Sequence, residues 1–356
     1  MIGAVYKTCR EGGQLLCQAP TGIGKTMSVL FPALKALEDG GPVFYLTARG
    51  TTRAAAENAV AVLHDHDTSL KLRSVTLTAK DKICLQDRRE CTPEACPYAN
   101  GYYERIKDAL AALLDGAPQF DRAALEAAAR QFTVCPFELG LDLSAWADVV
   151  IGDYNYLFDP VVRLHRFFDA AGDWLFLVDE AHNLPERARA MYSARFCKSS
   201  LTEAKRALGR GRSALKTALT KADKAFLEGR KAVCALAPRR GSAAPGEDDS
   251  GQTSLLEQAE TPTLALPAAD YAQDGTVFCK ELPSALLAPL RALTAPLQDW
   301  LEANPDAEAH AQLLELYFAV QDIARAGGQY RCRGPHSSSG PLFRGSGCPA
   351  GSGAVR

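Results

Sequence analysis

Long hydrophobic runs are missing from this sequence. No stretch of its 356 residues approaches the roughly 18 to 20 uninterrupted apolar residues of a membrane-spanning helix. A secretory leader is missing too, since Lys7, Arg10 and Glu11 interrupt the first residues where a leader would carry its apolar core. These absences predict a soluble protein without a membrane partner and with the cytoplasm as its compartment. An excess of one charge is equally absent: 40 Lys and Arg face 42 Asp and Glu, a net charge of -2. That balance leaves no global reason to expect nucleic acid or an anionic lipid surface, and any such partner must be read from a local patch. No internal repeat is visible. What remains, 47% hydrophobic and 23% charged residues, is the composition of a folded globular chain with room for two or three domains.

Up to about Arg195 short apolar runs alternate with helical stretches, the pattern of an α/β domain with a mainly parallel sheet. Strands are expected at Gln14 to Gln18, Val43 to Thr47, Arg73 to Thr78, Asp148 to Gly152 and Trp174 to Val178. Residues 80–135 break the pattern with Cys84, Cys91, Cys96 and Cys135 set around two helical stretches, and read as an inserted subdomain. From Ser199 to Val233, Leu201, Leu208, Leu215, Leu219 and Phe226 recur at helical spacing, so one stripe of a helix or helical hairpin is buried. Helical pattern resumes at Ser284 to Trp300 and Ala307 to Ala324. Residues 327–356 are rich in Gly, Ser, Arg and Pro with few aliphatics, and a disordered tail is expected.

The densest chemistry lies near the start. Ala19-Pro20-Thr21-Gly22-Ile23-Gly24-Lys25-Thr26 opens a helical stretch carrying Leu30, Leu34 and Leu37. Glycines let backbone amides curl round phosphate, the helix N-terminus adds its dipole, Lys25 reaches the terminal phosphates, and the Thr26 hydroxyl can bind Mg²⁺. Thr21, Gly22, Gly24, Lys25 and Thr26 are therefore the candidate ATP and Mg²⁺ residues. Trp174 to Val178 runs into Asp179-Glu180-Ala181-His182, which puts two acids at the carboxyl end of a buried strand, where open α/β sheets bind ligands. Asp179 is expected to hold Mg²⁺ and Glu180 to orient and deprotonate the attacking water. His182 either relays nucleotide state to a partner lobe or caps the following helix.

Eleven cysteines in a chain without an export signal do not make a disulfide framework. Cys84, Cys91, Cys96 and Cys135 stand at spacings too wide for the tight pairs of structural zinc, which favours a [4Fe-4S] cluster over zinc.

An Ala-Pro-Thr-Gly-x-Gly-Lys-Thr loop, a four-cysteine insertion and an Asp-Glu-Ala-His box, in that order, resemble the iron–sulfur DNA helicases of superfamily 2 typified by XPD and DinG, over residues 1 to about 325. Tyr45 to Thr51 looks like the family's single-strand-contacting motif, with Thr47 and Arg49 as its DNA contacts, and Ala147 to Leu157 like the segment between cluster and acidic box. The resemblance implies a 5′-to-3′ DNA helicase driven by ATP, acting on single-stranded DNA as a monomer. It implies a RecA-like lobe at 1–79 and 136–195, a cluster domain at 80–135 and a helical arch at 196–326. The arch is independently basic: Lys205, Arg206, Arg210 and Arg212 stand among its many cations and are the candidate phosphate contacts.

Such helicases hydrolyse ATP between two lobes, the second supplying arginines to the transferring phosphoryl group. No Ser-Ala-Thr motif follows the arch and no Gln-x-x-Gly-Arg-x-x-Arg appears. The expectation is one motor lobe, cut at both ends, with the residues after Ala326 resembling an out-of-frame translation and with negligible unwinding by this chain alone. A module that holds single-stranded DNA and ATP without motor activity is the alternative.

Overall fold

The computed structural model describes all residues except 21, 38–40, 49, 67–71, 170–171, 210, 212, 237–268, 272–275, 280–282, 330–342, 347–353 and 356. The chain divides into two units, Met1–Met191 and Tyr192–Arg356. Among the described residues no helix is long and apolar enough to cross a membrane.

In the first unit, apolar runs form β1 (Val43–Leu46), β2 (Ser74–Thr76), β3 (Gln119–Phe120), β4 (Val149–Gly152) and β5 (Leu175–Val178). They join in the order β3-β2-β4-β1-β5, and every pairing is parallel. The connections carry α1 (Ile2–Glu11), α2 (Lys25–Ala36), α3 (Gly50–His66), α4 (Lys80–Ile83), α5 (Tyr102–Asp115), α6 (Arg122–Phe132), α7 (Pro136–Leu143), α8 (Asn155–Phe158), α9 (His165–Phe168) and α10 (Leu184–Met191). Because side chains alternate across a strand, β1 feeds two cores. Val43 and Tyr45 pack with Leu30 and Ala33 of α2 and with Ala56 and Val60 of α3. Phe44 and Leu46 pack on the other face with Val75, Leu77, Leu125 and Leu139. β1, β2 and β4 are buried throughout, as their continuous apolar runs predict, whereas β5, expected to be buried, lies at the sheet edge and is only partly covered, with Phe176 39% exposed.

Two features differ from expectation. Leu15 to Gln18 forms no strand, and Leu15 and Leu16 are 41% and 93% exposed. A strand is a paired object, and this run pairs with none of the described strands, so apolar content alone does not make it one. Conversely, residues 80–135 share a core with the sheet: Ile83, Tyr102, Ile106 and Phe120 cluster with Val75 and Val150, and β3 adds a strand to the sheet edge.

The second unit contains β6 (Phe196–Cys197), β7 (Ala269–Tyr271), β8 (Thr276–Cys279), β9 (Phe343–Ser346) and β10 (Ala354–Val355) with α11 (Lys198–Ala207), α12 (Ala214–Leu236), α13 (Ser284–Arg291), α14 (Thr294–Ala303) and α15 (His310–Gln329). The expected stripe is buried: Leu201, Leu215, Leu219 and Phe226 pack with Leu290, Leu297, Leu313 and Val320. The stretch 327–356, expected without structure, departs from that in its described parts. Residues 327–329 continue α15, and β9 and β10 pair antiparallel with β8 and β6. Ladder hydrogen bonds come from the main chain, so they do not need the aliphatic side chains this stretch lacks.

Candidate nucleotide site

The phosphate loop is a backbone device. Gly22 and Gly24 take φ of 85° and 76°, a region costly for residues with a Cβ, and the chain then enters α2 directly at Lys25 with Gly24 as N-cap. The helix N-terminus therefore opens where Lys25 and Thr26 begin, and its unpaired amides and dipole favour an anion there. Thr21 lies outside the described residues.

The acidic box is carried to the same place by the sheet. β5 pairs with β1 through Val178 and Leu46, and the Asp179 N–H continues the ladder by donating to the Leu46 carbonyl at 2.9 Å. Lys25 Nζ stands 3.9 Å from Glu180 Oε1 and 3.4 Å from the Ala19 carbonyl oxygen. The two residues the chemistry needs together, 155 positions apart in the chain, thus face each other. Glu180 has φ of 52°, the left-handed region that a non-glycine enters only when its surroundings hold it there. Its N–H donates to Asp179 Oδ1 at 3.0 Å, and its carbonyl accepts from the Asn183 N–H at 3.0 Å. His182 Nδ1 lies 3.4 Å from Glu180 Oε2 with its ring mostly exposed.

Two tyrosines lie near Asp179 and an arginine stands beside one of them, none of which motif reading assigned a role. Tyr45 is 1% exposed, and its hydroxyl lies within electrostatic reach of Asp179. Burial first, and the Asp179 carboxylate after it, push this phenol far above its ordinary range. Tyr154, after β4, donates its hydroxyl to the Asp179 carbonyl oxygen. Burial, then the nearby Asp179 and Glu180 carboxylates, push the Tyr154 phenol up to about 12. Arg187 of α10 donates to Asp153 Oδ1 at 2.7 Å and to Asn155 Oδ1 at 2.9 Å, with its guanidinium over the Tyr154 ring at 5.8 Å. The one available signal was a tyrosine breaking otherwise aliphatic strand ends.

Magnesium takes hard oxygen ligands, and Thr26 and Asp179 supply a hydroxyl and a carboxylate that share the Tyr45 phenol as neighbour. The donor set fits that cation.

The four thiols are arranged differently. Cys84 ends α4, Cys135 is the N-cap of α7, and Cys91 is exposed. Burial pushes the Cys135 thiol up, against hydrogen bonds from the Glu138 and Phe137 backbone. Lys80 lies within electrostatic reach of Cys91 and Cys135. Arg105 ties the neighbouring segments, donating to the carbonyls of Pro97 at 3.1 Å and Thr133 at 2.7 Å. Among the described residues no three His, Cys, Asp or Glu side chains gather closely enough to hold a metal ion.

Of the residues expected to meet DNA, Thr47 is buried, with its N–H on the Gly152 carbonyl and its hydroxyl against Thr52. Those bonds hold it at the head of α3 rather than at a surface. Lys205 is likewise engaged, 2.7 Å from Asp223, whose other oxygen is 2.8 Å from Lys198. Arg206 is exposed on α11. Arg49, Arg210 and Arg212 lie outside the described residues.

The family model described as DEAD/DEAH box helicase matches residues 3–123, and the DEAD_2 model matches residues 66–201. The chain is 26% identical over 130 residues to the Fanconi anemia group J protein homolog of Gallus gallus, covering 36% of this chain and 10% of that protein. It is 22% identical over 213 residues to the general transcription and DNA repair factor IIH helicase subunit XPD of Dictyostelium discoideum, covering 51% of this chain and 27% of that one. A solved chain described as truncated XPD superposes with a TM-score of 0.48 at 17% identity, over 92% of this chain and 81% of its own. The matches thus span about a tenth to a quarter of these two curated relatives' lengths. The order of motifs in the sequence agrees with the two helicase models, which together match residues 3–201, and this part of the chain carries DEAD/DEAH box and DEAD_2 helicase domains.

Proposed function

We propose that this chain is the nucleotide-binding lobe of an ATP-dependent 5′-to-3′ DNA helicase that travels along single-stranded DNA. The observation that carries the reading is the 3.9 Å approach of Lys25 to Glu180 across the mouth of the glycine loop. In this reading the amides from Gly22 to Thr26 and the Lys25 ammonium hold the β- and γ-phosphates. Thr26 and Asp179 hold Mg²⁺, which when bound neutralises charge on those phosphates. Glu180 accepts a proton from the attacking water and directs it in line with the leaving oxygen. His182, in contact with Glu180, is the residue placed to report whether the γ-phosphate is present.

Cys84, Cys91, Cys96 and Cys135 are proposed as [4Fe-4S] ligands. Their soft thiols, the Lys80 charge near two of them and the α7 N-terminus at Cys135 support thiolate ligation. Thiolate sets of this kind gather as the metal binds, and no step of the nucleotide chemistry runs through them. Arg206 with Arg210 and Arg212, at the end of α11 and after it, is the proposed phosphate-tracking patch. The protein is proposed to act as a cytoplasmic monomer, and to need a second lobe's arginine for full turnover, a group worth about 10³ to 10⁵ in rate.

Fluorescent nucleotide binding and ATP hydrolysis, each with and without single-stranded DNA, test the reading. Lys25→Ala is expected to abolish nucleotide binding. Glu180→Gln is expected to keep binding and to lower any measurable hydrolysis by about 10² to 10⁴. Wild-type affinity unchanged in Lys25→Ala overturns the proposal. Binding of DNA and ATP with no DNA-stimulated turnover selects the alternative, a holding module without motor activity.

A further inference from the structure

We propose that Tyr154 is a positioning residue for Glu180: its hydroxyl holds the peptide group between the two acids of the box, and with it the left-handed turn that sets Glu180 opposite Lys25. The inference rests on the nucleotide reading and deepens it.

Glu180 leaves β5 in a conformation that its side chain resists. A φ of 52° crowds Cβ against the backbone, so the surroundings must impose it. Both peptide groups that flank the Glu180 Cα are tied. Before it, the Asp179 carbonyl oxygen accepts from the Tyr154 hydroxyl, while the N–H of the same peptide donates to Asp179 Oδ1 at 3.0 Å. After it, the Glu180 carbonyl accepts from the Asn183 N–H at 3.0 Å and from Asn183 Nδ2 at 3.2 Å. Asp179 and Asn183 lie within three residues of Glu180, so they move with the turn they brace. Tyr154 stands two residues past β4 and anchors that turn to the sheet. Its ring is fully buried, and Arg187 clamps it in place, lying over the ring at 5.8 Å and holding Asp153 and Asn155 on either side. Packing alone is served by phenylalanine. A buried hydroxyl costs free energy unless it finds a partner, and its partner here is the carbonyl that joins the two acids. Burial and the neighbouring carboxylates keep the phenol protonated, so it donates throughout the neutral range. Without that bond the peptide is free to turn toward the right-handed φ that glutamate prefers, and the carboxylate swings away from the mouth of the glycine loop.

Asp179-Glu180 is the sole Asp-Glu step in the sequence. The full chain, labelled with ¹³C at aspartate carbonyls and ¹⁵N at glutamate, therefore gives a carbonyl–amide correlation signal from this one peptide group. In Tyr154→Phe the carbonyl signal is expected to move upfield, as a carbonyl does on losing a hydrogen bond. ATP affinity, read with a fluorescent analogue, is expected to stay within about twofold, because Lys25 and the glycine loop set it. Turnover in the presence of single-stranded DNA is expected to fall about tenfold to a hundredfold in kcat, the scale of a misplaced reacting group. A carbonyl signal unmoved by Tyr154→Phe overturns the proposal, and so does an affinity loss as large as the loss of turnover, the mark of a general packing defect. The signal is read without nucleotide, so it decides the proposal even in a chain that does not turn ATP over. A wild type that binds no nucleotide overturns the underlying site assignment instead, and the carbonyl signal keeps the two failures distinct. Should Tyr154→Phe not fold, 3-fluorotyrosine placed at position 154 supplies a more acidic phenol and so a stronger donor. The carbonyl signal is then expected to move downfield, and an unmoved signal overturns the proposal.

Discussion

Asp179 shows how much one side chain here depends on residues distant in sequence. Its backbone is held by Leu46 and Tyr154, and its carboxylate accepts from the Glu180 amide. Arg187 secures the Tyr154 side of this arrangement through Asp153 and Asn155. Removing that guanidinium leaves a half-buried carboxylate short of its partner, so Arg187→Ala is expected to cost about 1 to 2 kcal/mol in a denaturant titration, discounted for the partial exposure of the pair. The Gly-Lys-Thr loop and the acidic box were legible because each needs particular residue types in a contiguous stretch. Tyr154 was not, because the Asp179 carbonyl it binds comes from another element.

At the scale of elements, α11 and α12 are joined by an acid between two lysines. Burial pushes the Asp223 carboxyl up, yet hydrogen bonds from Lys198 and Lys205 outweigh it and hold the group below its usual range. A carboxyl whose folded value is depressed contributes stability that is complete above the unfolded value of about 3.9 and is lost as pH falls through the folded value. Asp223→Asn is expected to destabilise the second unit by about 1 to 2 kcal/mol near neutrality. The difference from wild type is expected to shrink as pH drops below about 4, which thermal melts across pH 2 to 7 would show. The same observation explains why a basic run is a poor guide to DNA contacts: Lys198 and Lys205 hold helices together, while Arg206 stays exposed. Element prediction failed where pairing decides the outcome. Leu15 to Gln18 has a strand's composition and no neighbour, whereas Gln119–Phe120, too short to notice, becomes β3 because β2 offers it an edge.

The whole molecule comprises two units, each with its own core. Mutations in separate cores add rather than couple. Leu219→Ala, in the second unit and fully buried, is expected to cost about 2 to 5 kcal/mol. Chemical denaturation followed by circular dichroism would register that loss, while nucleotide affinity, set in the first unit, stays at the wild-type value. A large drop in affinity would show that the units depend on one another.

Alone, the sequence determined the short-range features: the glycines that let a loop bend round phosphate, the helix that starts at Lys25, the apolar strand that delivers two acids, and the heptad-like stripe that buries α11 and α12. These are decided within a few residues, by backbone conformation and by alternation of apolar side chains. Only the tertiary structure decided that Lys25 and Glu180 meet, that Tyr154 holds the Asp179 backbone, and that Thr47 and Lys205 are engaged inside the fold. Each of those outcomes rests on parallel pairing or helix packing between segments far apart in the chain, where contact depends on register and burial rather than on any local pattern.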